Sequence, residues 1–420
     1  MKIAAYVVQK HAKQTYKKEC LDVRQFAGFK MIIDSIERKG YVVDYAGIDT
    51  IYKYDVVLVS ITAQCDWWTF VRERHYWKKK DVKVIVGGAG VLNVRHLLPF
   101  ADYFVLGAGQ NLIIEILEAL RKGDDFEHKN VINSKTFNSK KNYFIKQEPA
   151  YPYEIDLSHN NVYKQNNIGC NHKCFFCGYT WHRKHNKAGN AFEWDSVAID
   201  LSTTEAAMLD FVEGKKDINF KTFRTTAIDG FSERLRFMVN KKIKKEHIDL
   251  FLEKMITDEE AKAHQIKLFN IVGYPTETKE DWFELLEHFK NTEKHKKVSE
   301  AEWCIILHST PFRSMPATPM ANAPVSYINY RKKISKVLGG HLAGNRIYAG
   351  KNMWAVESMG TESLPTVFED MIMNRGTEEE AEKVLKLAIS KKYWASKTSI
   401  KLKTLESYFD AYKFFSGYPK

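Results

Sequence analysis

The first 122 residues alternate short apolar runs with longer amphipathic stretches. An apolar run bounded by turn residues is typical of a buried strand, and an apolar period of about 3.6 residues is typical of a helix. Because neighbouring parallel strands need a crossover connection, this alternation favours a doubly wound parallel sheet with helices on both faces. The predicted strands are Lys2–Val8, Tyr41–Ala46, Asp55–Ile61, Val82–Val86 and Tyr103–Leu106, and the predicted helices are Val23–Lys39, Trp67–Lys79, Val94–Phe100 and Asn111–Lys122.

The alternation resumes after a polar, lysine-rich linker and predicts a second α/β domain. The linker covers residues 123–154, with a small hairpin around Tyr143–Lys146. Residues 155–360 suit a partial (β/α)6 barrel. Residues 361–420 are predicted to form a mainly helical cap, because Glu378–Lys391 has its acids first and its lysines last, as a helix dipole favours. The predicted barrel strands are Val162–Gln165, Val197–Leu201, Thr222–Asp229, Lys267–Val272, Glu302–Leu307 and Arg346–Ala349.

Three of the six cysteines, Cys170, Cys174 and Cys177, form a C-x-x-x-C-x-x-C motif. Three thiolates at this spacing can ligate three irons of a 4Fe-4S cubane and leave the fourth iron open. The alternative is a zinc site, for which His172 or His182 would supply the fourth ligand. Zinc loops usually come as two paired knuckles, and the sequence has no second one. The spacing therefore favours an iron-sulfur cluster.

The segment around these cysteines resembles the radical S-adenosylmethionine (SAM) superfamily, and the resemblance covers residues 155–360. Gly169 and Phe176 match the family form G-C-x-x-x-C-x-F-C. The resemblance implies that the three cysteines hold a 4Fe-4S cluster and that Phe176 packs near the SAM adenine. It also implies reductive cleavage of SAM to a 5′-deoxyadenosyl radical, with an external electron donor such as flavodoxin or ferredoxin.

Three further segments resemble motifs of this superfamily at the ends of predicted strands. Ser202–Glu205 lies where the family has a G-G-E-like segment but lacks both glycines, and Ala227–Arg234 is similar to G-I-E-S-G-S-E-R, with aspartate in place of the usual glutamate. By this resemblance Thr203, Asp229 and Ser232 contact SAM. Val272–Thr278 matches G-x-P-G-E-T except at Thr276 and is interpreted as a structural turn and helix cap.

Candidate substrate-facing residues follow the cysteine motif and lie on the fifth predicted barrel strand. Tyr179 comes just after the motif, and Cys304 and His308 share one face of the strand by its two-residue period. Plain packing roles are the alternative for these residues. The following segment, Ser309–Pro319, resembles the P-F-x-P-x-P-G-T-P segment of cobalamin-type members.

The amino-terminal domain resembles cobalamin-binding domains at its predicted strand ends. Ser60 to Thr62 and the Gly87–Gly88 pair are similar to the S-x-L/T and G-G elements. Phe104–Gln110, which contains Gly107 and Gly109, is similar to V-x-G-E-G-E. The resemblance implies that Ser60, Thr62, Gly87, Gly88, Gly107 and Gly109 contact cobalamin. Gln9–Lys13 does not supply D-x-H-x-x-G, which argues against a histidine lower ligand; the alternative is a Rossmann-like domain without a cofactor that supports the barrel.

The net charge is +12 and the isoelectric point about 9.1, which raises the possibility of a nucleic-acid partner. Lysines are spread along the whole chain, in runs such as Lys78–Lys80, Lys241–Lys245 and Lys391–Lys403, and a solvated surface is the favoured interpretation. The sequence has no run of 18 apolar residues, and its amino terminus reads as a strand. We therefore expect a cytoplasmic protein without a membrane partner.

Taken together, the motifs predict a radical SAM enzyme, with a cobalamin-dependent methyltransferase acting on an unactivated carbon as the leading hypothesis. A cobalamin-independent rearrangement, oxidation or coupling is the alternative, and a basic nucleic-acid-binding protein is the non-enzymatic one. A methylthiotransferase would need three more clustered cysteines, and the remaining ones, Cys20, Cys65 and Cys304, are scattered. The motifs do not distinguish a small-molecule substrate from a peptide.

Overall fold

The protein is described from a computed structural model, and the chain divides into two compact units. The first unit contains the described residues up to residue 168 together with 186–187. The second contains 173–177 and the described residues from 202 onward. The structure describes residues 1–8, 23–61, 66–75, 77, 81–88, 90–91, 94–138, 153–156, 162–165, 167–168, 173–177, 186–187, 202–203, 212–214, 225–257, 265–296, 304–315, 318–321, 323–326, 341–343, 346–349, 354–358 and 414–415.

The helices and strands are numbered in chain order within each unit. Those of the first unit are β1 (Ile3–Val7), α1 (Val23–Glu37), β2 (Val43–Tyr45), β3 (Val56–Ser60), α2 (Asp66–His75), β4 (Lys83–Gly87), β5 (Tyr103–Val105), α3 (Gln110–Lys122), β6 (Val131–Asn133), β7 (Tyr153–Asp156), β8 (Val162–Gln165), β9 (Asn167–Ile168) and β10 (Asn186–Lys187), with 3-10 helices at Ile51–Lys53 and Arg95–Phe100. Those of the second unit are β11 (Ser202–Thr203), β12 (Thr225–Ala227), α4 (Glu233–Met238), α5 (Lys245–Thr257), β13 (Gln265–Val272), α6 (Lys279–Lys296), β14 (Cys304–Pro311), β15 (Val325–Ser326), β16 (His341–Ala343), β17 (Arg346–Ala349), β18 (Trp354–Ser358) and β19 (Phe414–Phe415).

The first unit is built on a six-stranded sheet with the order β2-β1-β3-β4-β5-β6. The first five strands are parallel, and Ile3 lies level with both Val43 and Val56 across the central pairs. This order is Rossmann-like and agrees with the doubly wound parallel sheet that the sequence predicts, although the sequence did not predict the order itself. All five predicted strands are confirmed. Three of the predicted helices are confirmed as well, whereas the fourth, Val94–Phe100, is a 3-10 helix with Pro99 inside it.

Both faces of this sheet are covered, which explains why its strands are continuous apolar runs. All five residues of β1 are buried. Ile3, Ala5 and Val7 belong to one core that also contains apolar residues of α1 and α3. The intervening Tyr6 packs edge-on against Trp77, with ring centroids 5.5 Å apart, and Trp77 in turn contacts Phe70 of α2. The two-residue period of the strand thus supplies an aliphatic core on one side and an aromatic cluster on the other.

The sixth strand, β6, was not predicted from the sequence. It pairs antiparallel with β5, so that Phe104 lies level with Ile132, and it falls within the predicted 123–154 linker. Gly123 ends the preceding helix in a left-handed conformation (φ 82°) and turns the chain back towards the sheet. An apolar run as short as Val131–Asn133 is difficult to recognise between polar neighbours. The domain boundaries themselves stay a prediction.

The second unit contains a seven-stranded, mainly parallel sheet with the order β11-β12-β13-β14-β18-β17-β16. Its first five strands are parallel and follow chain order, so right-handed crossovers place their helices on one face. The burial of β13 agrees with this arrangement, because Leu268 and Val272 are fully buried whereas Phe269 and Ile271 on the other face are half-buried. Closure of this sheet into a barrel stays a prediction.

Two predicted barrel strands form but pair differently. Val162–Gln165 pairs antiparallel with β7, and its predicted parallel neighbour Val197–Leu201 lies outside the described residues. Arg346–Ala349 pairs antiparallel with both of its neighbours, so it is not the parallel barrel strand that the sequence predicts. The reason is the length of the connections, because residues 157–161 or 344–345 are too few for the crossover that a parallel pair requires. The unpredicted strand β18 occupies the place beside β14 instead.

The remaining fold predictions lie mostly outside the described residues. These include the strand Val197–Leu201, the hairpin around Tyr143–Lys146 and the helix Glu378–Lys391. Within 361–420 the structure describes Phe414–Phe415, a short strand parallel to β15. No helix among the described residues has the length and apolar character needed to cross a membrane.

We expect Gly88→Ala to destabilise the first unit and Gly28→Ala to stabilise it. Gly88 has a φ of 113°, and a Cβ there would come within 2.9 Å of the Ile61 carbonyl carbon and closer still to its oxygen. A side chain in this conformation costs at least about 2 kcal/mol. Gly28 lies within α1 with open space around it, so alanine should gain about 0.5–1 kcal/mol. Urea midpoints followed by circular dichroism should move in opposite directions, and a shift in the same direction would contradict the close contact.

Candidate cofactor site

Two cysteines of the motif lie in a tight turn, Lys173–Cys177, here called the cysteine turn. The Cys177 amide donates a hydrogen bond of 3.1 Å to the Cys174 carbonyl oxygen. Cys174 is buried, with 7% of its surface exposed, and Cys177 is half-buried. Cys170 lies outside the described residues, and among those described no three His, Cys, Asp or Glu side chains form a metal-binding group.

Two distant segments of the second unit hold the cysteine turn in place. The Phe175 amide donates to the Val239 carbonyl oxygen at 2.9 Å, and the Met320 amide donates to the Phe175 carbonyl oxygen at 3.2 Å. The Asn240 side chain donates to the Lys173 carbonyl oxygen at 2.8 Å. The backbone of the turn is therefore fixed on both sides of Cys174.

The cysteine turn lies at the carboxyl edge of the parallel sheet, where ligands of such sheets bind. Its Phe176 ring is 6.2 Å from the ring of Tyr274, which follows β13. Tyr274 is 5.3 Å from Phe312, which follows β14, and its hydroxyl donates to the Asp229 carbonyl oxygen at 2.8 Å. Asp229 follows β12, so residues beyond three neighbouring strands meet beside the turn.

Tyr274 is a neutral, buried phenol that contacts both other rings of this aromatic group. Burial raises its pKa well above 10, and the nearby Asp229, Glu277 and Cys174 raise it further. Its ring is completely buried between Phe176 and Phe312. The three rings therefore keep water away from one side of the cysteine turn.

Asp229, a predicted SAM ligand, has a carboxylate positioned by a buried lysine. Its backbone is left-handed (φ 50°), a conformation that aspartate tolerates better than most residues. The carboxylate forms an ion pair with Lys241, whose side chain is 6% exposed, while that of Asp229 stays 17% exposed. Gly230 follows, and a Cβ there would lie 3.2 Å from Arg236 Cγ. A partly open carboxylate can still accept a hydrogen bond from a ligand hydroxyl or amine.

Neither Lys241 nor Asn240 was predicted from the sequence as a residue near the site. The run Lys241–Lys245 was expected on the solvated surface, but Lys241 and Ile243 are buried whereas Lys242 and Lys244 are exposed. The alternation of burial along this short run shows that it is fixed against the protein. An apolar residue within a lysine run was the signal that could have indicated it.

Ser232, a second predicted SAM ligand, has a structural role in the described contacts. Its hydroxyl accepts a hydrogen bond from the Leu235 amide at 3.2 Å, caps α4 and donates to Asp281. Burial alone would raise the pKa of Asp281, but hydrogen bonds from Arg234 and Ser232 outweigh it and lower the pKa. These contacts use the proton of the buried Ser232 hydroxyl and one of the two lone pairs of its oxygen.

Glu277 of the G-x-P-G-E-T-like segment stabilises the turn after β13 through hydrogen bonds to its buried carboxylate. Its carboxylate accepts hydrogen bonds from the amides of Gly273 (2.7 Å) and Tyr274 (3.2 Å) and from the Trp282 indole (2.6 Å). Burial raises the pKa of Glu277 to about 7, although these hydrogen bonds act to lower it. This agrees with the structural role that the sequence predicts for the segment.

The other predicted residues of this unit that the structure describes, Thr203, Cys304 and His308, are placed by the register of their strands. Thr203 ends β11 and lies level with Thr226. Cys304 begins β14, and His308 on the same strand lies level with Phe269 and Glu357 of the neighbouring strands. Tyr179 lies outside the described residues.

In the first unit, the predicted cobalamin contacts gather at the carboxyl edge of the sheet. Ser60 ends β3 beside Gly87, which ends β4, and the amide of Ile61 donates to the Gly87 carbonyl oxygen at 2.8 Å. Gly107 follows β5 with a φ of 84°, and Gly109 precedes α3. Thr62 lies outside the described residues.

Contacts within the protein exclude a side chain at one of these glycines and surround a second one closely. The Ile61 carbonyl group leaves no space for a side chain at Gly88, as described above. A Cβ at Gly109 would lie 3.3–3.4 Å from atoms of Ile113, Ile32 and Val105, where α3 packs closely against its neighbours. Gly88 would need glycine with or without a ligand, so it does not by itself identify a cobalamin site. At Gly109 an alanine would need the neighbouring side-chain ends to shift by a few tenths of an ångström.

No protein-family profile matches this sequence, and no curated protein is significantly similar to it. The resemblances to radical SAM and cobalamin-binding proteins therefore depend on the short motifs and on the positions of their residues in the fold.

We expect Glu277→Gln to destabilise the protein more at pH 5 than at pH 8. Glutamine replaces one accepting oxygen with a donor, which leaves a buried hydrogen-bond partner unmatched at a cost of about 1–3 kcal/mol. Because the folded pKa of Glu277 lies above its ordinary value of 4.5, the stability it contributes is complete below that pH and is lost as the pH rises through about 7. The variant has no such dependence, so the difference between the two proteins narrows as the pH rises.

Thermal unfolding of both proteins between pH 5 and pH 8 measures this difference. Glu246→Gln on the exposed side of α5 is the control and should follow the wild type throughout. A difference that widens with rising pH would mean that the site stabilises the ionised carboxylate.

Proposed function

We propose that this chain is a radical SAM enzyme in which Cys170, Cys174 and Cys177 hold a 4Fe-4S cluster. The observation that supports this most is the position of the cysteine turn, which packs at the carboxyl ends of three parallel strands beside Asp229 and Tyr274. These residues are far apart in the sequence, and the motif alone does not bring them together.

The described part of the turn suits such a cluster. Cys174 and Cys177 supply thiol ligands one turn apart, and thiolates are the ligands that iron-sulfur clusters require. The backbone on both sides of Cys174 is hydrogen-bonded to the rest of the unit, which limits its movement. When bound, the cluster and SAM together would supply a radical able to take a hydrogen atom from an unactivated carbon.

The surrounding residues have separate roles in this proposal. Phe176, Tyr274 and Phe312 exclude water from one side of the site. Asp229 accepts a hydrogen bond from the ribose or the amine of SAM, and Lys241 holds its carboxylate in place and balances its charge. Ser232 is left out of the proposed ligand set because its hydroxyl is buried, donates to Asp281 and accepts from the α4 amide.

The narrower proposal is a cobalamin-dependent methyltransferase acting on an unactivated carbon of a small molecule or a peptide. The sheet order 2-1-3-4-5 supports it, because ligands of such sheets bind at the switch point beyond β1 and β3, and Ser60 lies there. The cobalamin-independent alternative draws support from Gly88, because contacts within the protein explain this glycine without a ligand.

Each cysteine of the motif should be needed to bind iron. We expect the anaerobically reconstituted wild type to hold about four irons per chain and to form 5′-deoxyadenosine from SAM with a reductant. Cys170→Ala, Cys174→Ala and Cys177→Ala should each lose the cluster absorption and this activity, whereas Cys20→Ala, outside the motif, should retain both. Stoichiometric zinc and no bound iron in the wild type would overturn the proposal.

Cobalamin binding can be tested separately from the cluster. We expect the protein incubated with hydroxocobalamin to retain the corrin through gel filtration and to show its visible spectrum without a histidine ligand. Retention by the triple cysteine variant as well would assign the corrin to a site independent of the cluster. A wild type that holds the cluster but no corrin would favour the cobalamin-independent enzyme.

A further inference from the structure

Asn240 combines an unusual backbone conformation with a specific hydrogen bond to the cysteine turn. It lies two residues beyond the end of α4 and is left-handed, with a φ of 60°. Its amide group donates to the carbonyl oxygen of Lys173, the residue before Cys174, at 2.8 Å.

The end of α4 is a rigid support for this contact. The amides of Val239, Asn240 and Lys241 donate to carbonyl oxygens within α4 at 3.1, 3.0 and 2.7 Å. The helix is capped by Ser232 at its beginning, and the guanidinium of Arg236 is completely buried. The position of Asn240 is therefore set by the core of the unit.

Among the described hydrogen bonds that cross to the cysteine turn, the one from Asn240 uses a side chain. The bonds of Phe175 with Val239 and Met320 join backbone groups, and no substitution removes those groups cleanly. Asn240 is thus a position at which one described hydrogen bond to the turn can be removed while the two backbone bonds of Phe175 stay in place.

We propose that Asn240 is a positioning residue that orients the cysteine turn so that Cys174 and Cys177 face a common metal cluster. This inference rests on the proposed function. Asparagine at this position provides both the left-handed backbone and the donor, whereas glycine would provide only the backbone. A residue that merely ends the helix would be replaced by glycine without loss.

The test compares Asn240→Gly with Asn240→Asp. Glycine retains the left-handed conformation and removes the donor, while aspartate retains the size and places a carboxylate oxygen against the Lys173 carbonyl oxygen. In the apo protein we expect both variants to unfold within a few degrees of the wild type. Amide hydrogen exchange of a peptide covering residues 173–177 should become roughly five-fold faster, the loss expected for one hydrogen bond.

After anaerobic reconstitution, we expect both variants to bind less iron and to show altered electron paramagnetic resonance of the reduced cluster. If Asn240→Gly shows the amide hydrogen exchange and the electron paramagnetic resonance spectrum of the wild type, Asn240 merely ends the helix and the inference is overturned. A wild type without a cluster would overturn the proposed function instead, and the exchange measurement would still decide whether Asn240 holds the turn.

Discussion

A buried arginine organises the carboxyl edge of the second unit. Arg236 is fully inaccessible to solvent, and its guanidinium donates to the carbonyl oxygens of Gly230, Phe231 and Ile243 and to the carboxylate of Glu284. Burial lowers its pKa, and Glu284 counteracts this. Taking a guanidinium out of water costs several kcal/mol, which only a complete set of partners offsets. The loop before α4, the segment after it and α6 are thereby held in one arrangement.

Residues of the candidate site lie before and after α4, and their positions depend on that arrangement. Asp229 lies just before the carbonyl groups that Arg236 binds, and Asn240 and Lys241 lie just before Ile243. The Asp229 carboxylate, which we propose contacts SAM, and the support of the cysteine turn therefore both depend on the same buried charge. Glu233 and Arg234, the last two residues of the G-I-E-S-G-S-E-R-like segment, also make structural contacts. Arg234 binds Asp281, and the Glu233 carboxylate accepts a hydrogen bond from the Lys245 amide at 2.6 Å.

The fold was predictable from the sequence where strands are long apolar runs separated by helices, as in β1 to β5. It was not predictable where a strand is very short, as in β6, or where a short connection decides the pairing, as in β8 and β17. The site divides in a similar way. The cysteines were predicted as site residues from their spacing and Asp229 from a motif resemblance. Lys241 and Asn240 contact this region through burial and backbone geometry, which residue type alone does not reveal.

The close approach of Ile61 to Gly88 bears on how such sequences evolve. The contact joins two loops of the bare fold, so selection for folding alone retains this glycine. A domain of this kind without a cofactor would be free to change partly exposed polar residues such as Ser60, whereas Gly88 would be retained. A glycine such as Gly88 therefore indicates the path of the backbone at this edge. Whether a ligand binds there has to be inferred from the side chains around it.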